Sequence, residues 1–274
     1  MHYQTLEPQS YQLLNGLMEH EGLRVAGFVL AGGTSLALQL GHRMSTDIDM
    51  FTHKPFDPRQ VAEELRQRFG PTLDVYSMND TGFRAFVGEV KIDMVYFPFK
   101  PQHPLVVKDN IRMLSVDDLS AMKVHAIANR GARRDFMDLA EILQVRPLEK
   151  ILENYTRQFV PSFAAFQHTL KALTYFTDAE ATPPKINIIN GRNWNQTKDI
   201  VLRSMRQKKE IIIQKAPIPI APSNPHKKAP EPTQAPVQST TAVPHQPASP
   251  GQKGTMQSDH TKSAARRIIR PGRL

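Results

Sequence analysis

The chain has 274 residues, 40% of them hydrophobic, so it can bury one sizeable core and still carry further segments. It contains no cysteine, which excludes disulfides and thiolate metal sites and fits a reducing compartment. The net charge of +9 is concentrated towards the C-terminus: residues 1–184 carry 19 Lys+Arg against 22 Asp+Glu, whereas residues 185–274 carry 16 against 4, so the N-terminal part has no strong field for attracting polyanions.

The first predicted elements lead to a pair of glycines. Residues 10–21 have the spacing of an amphipathic helix, and residues 25–31 form an apolar run that predicts a strand. The strand stops at Gly32–Gly33, after which Thr34 or Ser35 offers a hydroxyl to cap a short helix. The first N–H groups of a helix are free, and glycines allow a phosphate to approach the backbone closely. The turn therefore predicts an anion-binding site.

A second strand is predicted over residues 47–51, with Asp47 and Asp49 two positions apart. Their side chains point to the same face, where two carboxylates repel each other unless a cation lies between them. Mg²⁺ prefers such oxygen ligands, supplemented by phosphate oxygens. A lone glycine pair or a lone Asp-x-Asp is usually structural, but one short helix between them can bring a phosphate turn and a metal strand together.

The order of these residues resembles a known signature. Ala31-Gly32-Gly33, thirteen residues, then Asp47-Ile48-Asp49-Met50 is similar to the signature of the DNA polymerase beta-type nucleotidyltransferase superfamily. The flanking Arg43-x-Ser45-x-Asp47 narrows the resemblance to the AbiEii/AbiGii toxin family. It implies an NTP substrate, two Mg²⁺ ions, and a nucleotide site that includes Gly32, Gly33, Thr34, Ser35, Arg43 and Ser45.

A small mixed sheet is predicted from the residues that follow. After a helix over residues 58–68, three strands are expected over 72–78, 82–87 and 90–97. Asp93 is a carboxylate on the last, otherwise apolar strand, which is costly unless the carboxylate is paired or binds metal. It either pairs with Lys91 or Arg84 or, as the resemblance implies, completes the metal set with Asp47 and Asp49 and acts as a base.

Two helices carry a second block of polar residues. One helix is predicted from a Ser115 cap to about residue 128, and another opens at Asp135 after a basic link over 129–134. The pattern Ser115-x-x-Asp118-Leu119-x-x-x-Lys123-x-x-Ala126-x-x-x-Arg130-x-x-x-Arg134-Asp135-x-x-Asp138 resembles the helical motif of the AbiEii-type family. It implies that Lys123 binds nucleotide, that Asp135 lies at the active site, and that Arg130 and Arg134 are phosphate or structural partners. The alternative is that Lys123 is solvated and that Asp135 and Asp138 neutralise Arg133 and Arg134.

The rest of the chain divides into a helical region and a tail. Residues 148–176 have apolar side chains at helical spacing, including Phe159, Phe163 and Phe166, which predicts core; a loop over 177–184 and a basic helix over 194–209 follow. Eleven of the 22 prolines occur from residue 215 onwards, where aromatic residues are absent, which predicts disorder. This basic tail would either contact RNA or only keep the chain soluble.

The predicted fold is therefore α+β: a small mixed nucleotidyltransferase sheet flanked by helices, then a mostly helical part and a disordered tail. The expected divisions are a nucleotidyltransferase core over 1–105, a helical part over 106–210 and a tail over 211–274. No window has the length of a membrane span and the N-terminus has no signal-peptide pattern, so a cytoplasmic protein without membrane partners is expected.

The resemblance implies transfer of a nucleoside monophosphate to a macromolecule such as tRNA, by the toxin of a toxin–antitoxin or abortive-infection pair with a cognate antitoxin. Two alternatives remain open at this point. One is a small-molecule nucleotidyltransferase that modifies an antibiotic of the aminoglycoside type, and the other is a nucleotide-binding module without turnover. A closed pocket would favour the first alternative, and an open basic groove would favour RNA.

Overall fold

The computed structural model describes residues 1–160, 162–181 and 186–207, and the predicted tail over 211–274 lies outside these residues. The helices of the described part are α1 (Pro8–Glu19), α2 (Glu21–Val25), α3 (Gly32–Leu40), α4 (Pro58–Phe69), α5 (Val116–Arg130), α6 (Arg133–Val145), α7 (Leu148–Phe159), α8 (Phe163–Ala172), α9 (Thr177–Ala181) and α10 (Trp194–Gln207). Its strands are β1 (Val29–Leu30), β2 (Ile48–Thr52), β3 (Leu73–Asn79), β4 (Gly82–Val87), β5 (Val90–Tyr96), β6 (Val106–Lys108) and β7 (Ile111–Met113). The predicted α+β class, with a mixed sheet flanked by helices and a mostly helical part after it, is confirmed.

The seven strands of the described residues form one sheet in the order β3-β4-β5-β2-β1-β7-β6. The strand β2 is central; it runs parallel to β5 and antiparallel to β1. In this register Asp49 lies directly opposite Asp93. Two carboxylates that are 44 positions apart in the sequence thus become neighbours on adjacent strands.

Local capping signals explain where the well-predicted helices begin and end. Asp57 accepts a hydrogen bond from the Arg59 N–H at 2.8 Å, which starts α4. Ser115 accepts one from the Asp118 N–H at 3.1 Å and starts α5. The helix α5 ends at Gly131, which has a φ of +55° and so takes the left-handed conformation that a helix end commonly requires.

Side chains along β2 and β5 point alternately to the two faces of the sheet, a buried core face and a second face. Ile48 and Met50 of β2 are fully buried among apolar side chains of α1, α2 and α4. A second apolar cluster joins α5, α6, α7, α8 and α10. The side chains of Asp49 and Asp93 alternate with the buried ones and lie on the second face of the sheet, under α5.

Several local predictions are wrong. Residues 21–25 form α2, because the His20 ring caps this turn and Glu21 pairs with Arg24, so the strand predicted over 25–31 is reduced to Val29–Leu30. The loop predicted over 177–184 contains α9. The predicted core residue Phe163 is 49% exposed.

The hairpin β6–β7 was not predicted, and it extends the sheet past residue 105, where the core had been expected to end. Its second strand pairs in parallel with β1, opposite Leu30. In the part of the chain that the structure describes, no helix combines the length and apolarity needed to cross a bilayer.

Candidate active site

A cavity of about 640 Å³ lies between the second face of the sheet and α5. It brings together most of the residues predicted from the two sequence blocks, which are about 70 positions apart. The predicted site residues that line it are Gly32, Gly33, Arg43, Ser45, Asp47, Asp49, Asp93, Lys123, Arg130 and Arg134. The side chains of Thr34, Ser35 and Asp135 do not line it and are fully buried.

Three carboxylates lie on one wall of the cavity. Asp49 is partly buried, and burial raises its pKa, with the charges of Asp93 and Asp47 adding to the effect and Lys123 opposing it. Lys91 Nζ lies 3.2 Å from Asp93 Oδ1 and 3.8 Å from Asp47 Oδ2. Arg84 Nε lies 3.6 Å from Asp93 Oδ2, so the pairing considered as an alternative for Asp93 is present.

These carboxylates suit a divalent cation to different degrees. Asp49 and Asp93 are direct partners on parallel strands, and Asp93 Oδ1 is buried, with the Lys91 ammonium 3.2 Å away. Within residues 1–160, 162–181 and 186–207, no three acidic or histidine side chains already form a metal-binding group. Asp49 has no ion-pair partner among the described residues and fits a cation as it stands. Asp93, which contacts Lys91 and Arg84, and Asp47, which contacts Lys91 and Arg134, would have to exchange these partners for the ion.

The glycine pair lies beside the carboxylates at the first turn of α3. Gly32 has a φ of +62°, and a Cβ atom there would collide with the Asp49 carboxylate. A Cβ atom on Gly33 would collide with the guanidinium of Arg43. Both positions thus allow charged groups to approach the start of a helix, where the backbone N–H groups are free.

Thr34 and Ser35 do not have the role predicted for their side chains as caps. The helix α3 starts at Gly32, with Ala31 at its N-cap and no side-chain cap. The Thr34 hydroxyl contacts Ser45 Oγ at 2.8 Å and donates to the carbonyl oxygen of Asp47. Ser35 Oγ accepts a hydrogen bond from Gln39. The Thr34 contacts tie α3 to the segment that leads into the Asp-x-Asp strand.

Lys123 projects from α5 into the cavity and is held by two buried carboxylates. Its Nζ lies 3.0 Å from Asp135 Oδ1 and 2.7 Å from Asp138 Oδ2. Burial alone would lower the pKa of Lys123, but Asp138 and Asp135 outweigh it and raise the pKa, so the side chain is cationic. An ammonium has three N–H donors, and the two carboxylates leave one for a ligand.

Asp138 also binds the segment that follows α3. Arg43 donates to it through two nitrogens, at 2.7 and 3.0 Å, and His42 Nε2 lies 2.7 Å away. Although burial works in the opposite direction, Lys123 and Arg43 hold the pKa of Asp138 well below its usual value. The sequence suggested only Arg133 and Arg134 as partners of Asp138, whereas the structure pairs it with His42, Arg43 and Lys123.

Arg130 and Arg134 border the cavity in different ways. Arg130 donates to Asp135 through two nitrogens, at 2.8 and 3.0 Å, and its side chain is half exposed. Arg134 NH1 lies 3.9 Å from Asp47 Oδ2. Asp135 therefore binds Lys123 and Arg130, and the local neutralisation of Arg133 and Arg134 considered as an alternative is wrong. Arg133 instead lies over the Trp194 ring, 4.7 Å from its centroid.

One end of the cavity is apolar. Phe51 follows Asp49 on the same face of β2, Val95 follows Asp93 on β5, and Phe97 lies just past the end of β5. Met122 and His125 of α5 complete this end. The site thus has an apolar end beside a charged centre, which suits a ligand with a flat ring and phosphates.

A segment far along the sequence closes another side of the cavity. Met44 N–H donates to the carbonyl of Asn187 at 2.9 Å, and Ile189 N–H donates to that of His42 at 3.0 Å. Ile186 and Asn187 consequently line the cavity. No signal in the sequence predicted this pairing, because backbone hydrogen bonds do not depend on side-chain identity.

The comparison with protein families matches residues 17–205 to the model described as nucleotidyl transferase AbiEii toxin, type IV TA system. The match covers the glycine turn, the carboxylate strands and the helical block. The chain belongs to the AbiEii family. The resemblance stated from the two motifs is thereby confirmed.

The individual proteins that resemble this AbiEii family member have low sequence identity to it. The uncharacterized protein aq_aa25 of Aquifex aeolicus is 32% identical over 165 residues, which cover 56% of this chain and 75% of that protein. Among solved structures, JHP933 from Helicobacter pylori has a TM-score of 0.47 at 14% identity, covering 76% of this chain and 95% of that one. The antibiotic-resistance factor ANT(2'')-Ia has a TM-score of 0.44 at 18% identity, covering 59% and 97%.

Proposed function

We propose that this AbiEii family member transfers a nucleoside monophosphate from an NTP to an RNA acceptor, with tRNA as the first candidate. The observation that supports the proposal is the meeting of two charge types in one cavity. Three carboxylates that suit divalent cations lie beside the cationic groups of Arg43 and Lys123 and the free N–H groups at Gly32–Gly33. Such a site suits a metal-bound triphosphate.

The more exposed cationic groups of the cavity support an anionic acceptor. Six cationic side chains line the cavity, against four carboxylates: Arg43, Arg84, Lys91, Lys123, Arg130 and Arg134, and Glu7, Asp47, Asp49 and Asp93. The buried Asp135 and Asp138 offset Arg43, Lys123 and Arg130, whereas the side chains of Arg84 and Arg134 are 61% and 49% exposed. These two guanidiniums would contact the phosphates of an RNA strand.

Each residue group has a distinct part in the proposed reaction. The N–H groups at Gly32–Gly33, with Arg43 and the remaining N–H of Lys123, bind the β- and γ-phosphates. Asp49, Asp93 and Asp47 would hold Mg²⁺, which supplies charge neutralisation and lowers the pKa of an attacking hydroxyl when bound. Asp93 is the candidate base, and the nucleoside packs at the apolar end beside Phe97. The protein mainly positions the groups for an in-line displacement.

Asp135 is proposed to act through Lys123 and Arg130, since its carboxylate is buried behind them. Asp138 supports the site in the same manner through Lys123 and Arg43. In the family's type IV context, this chain would be the toxin and would have a cognate antitoxin.

The test incubates the purified full-length chain with each α-³²P-labelled NTP, Mg²⁺ and total RNA, with an aminoglycoside offered in a parallel reaction. Label in RNA is the expected result. Asp49→Asn should reduce labelling at least about 100-fold, because loss of even a supporting group of a metal ligand costs about 10- to 100-fold. Removing one of three clustered carboxylates relieves repulsion, so this variant should be at least as stable as the parent.

The matched control is Asp80→Asn, which alters an exposed aspartate and should leave labelling unchanged. Label in the aminoglycoside alone would overturn the RNA proposal. Nucleotide binding without labelling of either acceptor would indicate a binding module instead of an enzyme. Equal labelling by the parent and Asp49→Asn would contradict the proposed site.

A further inference from the structure

The second face of the sheet continues beyond the cavity to an open edge. Next to β5 lies β4, where Arg84 is opposite Asp93 and Phe86 is opposite Lys91. Partners across an antiparallel pair share a face, so both side chains lie on the same face as the metal-binding carboxylates. Beyond β4, the face ends at the edge strand β3.

Two aromatic rings are exposed on this edge. Tyr76 is 48% exposed and Phe86 is 39% exposed, and their ring centroids lie 5.3 Å apart. The pairing of β3 with β4 shifts register between Val75 and Ser77, so Tyr76 is the extra residue of a bulge, a feature that commonly redirects a side chain. Although burial lowers the pKa of Lys91, Asp93 and Asp47 raise it, and the nearby Tyr76 phenol contributes to this rise.

The order of the strands separates this Tyr76–Phe86 pair from the phosphate-binding turn. From one side to the other lie the glycine turn after β1, then Asp49 on β2, Asp93 on β5 and the pair on β4 and β3. In an in-line displacement the attacking and leaving groups are on opposite sides of the reacting phosphorus. If the leaving pyrophosphate is held at the glycine turn, the acceptor approaches Asp93 from the side of β4.

We infer that the Tyr76–Phe86 pair, with Arg84, is the docking surface for the single-stranded end of the RNA acceptor. This inference rests on the proposed transfer to RNA and adds where the acceptor binds. Exposed aromatic rings stack on unpaired bases, and a neighbouring guanidinium binds the phosphate between them. Arg84 is 61% exposed and also lines the cavity, so it connects the pair to the site.

The distance along the sheet determines which nucleotides are bound. Two strand spacings, about 10 Å, separate β5 from β3. A base on Tyr76 therefore belongs to a nucleotide inward of the reacting end, while the terminal hydroxyl reaches Asp93.

The test measures RNA binding directly. The full chain is titrated into fluorescein-labelled single-stranded RNA with a free 3′ end, in Ca²⁺ and a non-hydrolysable NTP analogue, and anisotropy is recorded. The double variant Tyr76→Ala/Phe86→Ala should weaken binding at least about 10-fold, since both rings lose their stacking contacts with the bases. Its affinity for the NTP analogue should not change.

Two further variants show whether the rings themselves are responsible. Tyr76→Phe/Phe86→Tyr retains both aromatic rings and should bind RNA like the parent. Phe163→Ala removes an aromatic side chain with 49% exposure on α8 and should have no effect. Parental RNA binding by the double alanine variant would overturn the inference. Lost self-association with retained RNA binding would assign the pair to a protein contact and would also overturn it.

Label transfer to RNA, measured in parallel, separates the two proposals. If RNA binding depends on the pair but the parent transfers no label, the docking surface stands and the proposed reaction fails. If the parent labels RNA and the double alanine variant binds and labels it equally, the reaction stands and the docking surface fails.

Discussion

Replacing Asp138 with asparagine tests whether one buried carboxylate holds the active site together. Asparagine has nearly the same size, so the variant creates no cavity and mainly removes the charge. Lys123 would retain Asp135 at 3.0 Å, whereas Arg43 would lose its carboxylate partner and keep only neutral acceptors, among them the carbonyl of Met44 at 3.0 Å. One buried guanidinium would thus be left without a carboxylate.

The expected loss of unfolding free energy in Asp138→Asn follows from this unpaired guanidinium. Removing one partner of a buried ion pair costs about 3–5 kcal/mol, a large part of the roughly 5–15 kcal/mol by which domains are stable. The free energy of unfolding would be measured in urea at pH 7, with the fluorescence of Trp194 as the probe. The control Glu63→Gln breaks an exposed pair with Arg66, and its effect should stay below about 1 kcal/mol.

The pH dependence of the difference in unfolding free energy between the parent and Asp138→Asn provides a second test. The pKa of Asp138 is well below its usual value in the folded chain, while an unfolded aspartate titrates near about 3.9. A lowered pKa stabilises the folded state above the unfolded pKa, and this stabilisation is lost as the pH falls towards the folded pKa. The difference between parent and Asp138→Asn should be constant from about pH 5 to 7 and decrease below about pH 4. A loss under about 1 kcal/mol at pH 7 would refute the reasoning.

Two further predictions concern single contacts. Gly32→Ala should reduce labelling of RNA about 100-fold in the transfer assay, because the new Cβ would displace the Asp49 carboxylate, and a shift of about 1 Å can have that effect. Tyr155→Phe should lower the free energy of unfolding in urea by about 1 kcal/mol, because it removes the buried hydrogen bond of 2.8 Å to Thr169 Oγ1.

Each of these variants has a matched control. Gly88→Ala introduces the same backbone strain, at a φ of +60°, where nothing lies within 4 Å of the new Cβ, so it should retain activity. Equal activity of the two glycine variants would contradict the role given to Gly32. Tyr175→Phe removes a hydroxyl from a side chain that is 53% exposed and should leave the free energy of unfolding unchanged. An equal loss of unfolding free energy in Tyr175→Phe would show that the buried hydrogen bond of Tyr155 is not the cause.

The parts of the fold that local chemistry determines could be predicted from the sequence. The cap at Ser115 located the start of α5, which runs to Arg130, two residues past the predicted end. The alternation along residues 47–51 predicted that Asp47 and Asp49 share a face, and both line the cavity. The hairpin β6–β7 was missed although its signal was present. Asp109 and Asn110 have φ values of +49° and +64°, which suit a two-residue hairpin turn, and these residue types favour it.

The contacts that organise the site could not be predicted because they join distant parts of the chain. Asp138 binds His42 and Arg43 across about 95 positions, and nothing in the helical spacing of α6 indicates this pairing. Thr34 was expected to cap a helix, yet its hydroxyl forms hydrogen bonds that link α3 to the segment leading into the Asp-x-Asp strand. In both cases a polar side chain had several possible partners, and tertiary packing selected one.

The backbone pairing of residues 42–44 with residues 187–189 has a consequence for dissecting the molecule. A fragment that stops at Met113 would keep the seven strands of the described residues and all three carboxylates, yet it would lack Lys123, Arg130 and Arg134, which line the cavity. Adding back the missing half as a separate polypeptide would have to restore main-chain bonds as well as side-chain ones. Complementation between the two halves is therefore a sensitive measure of how the catalytic centre assembles.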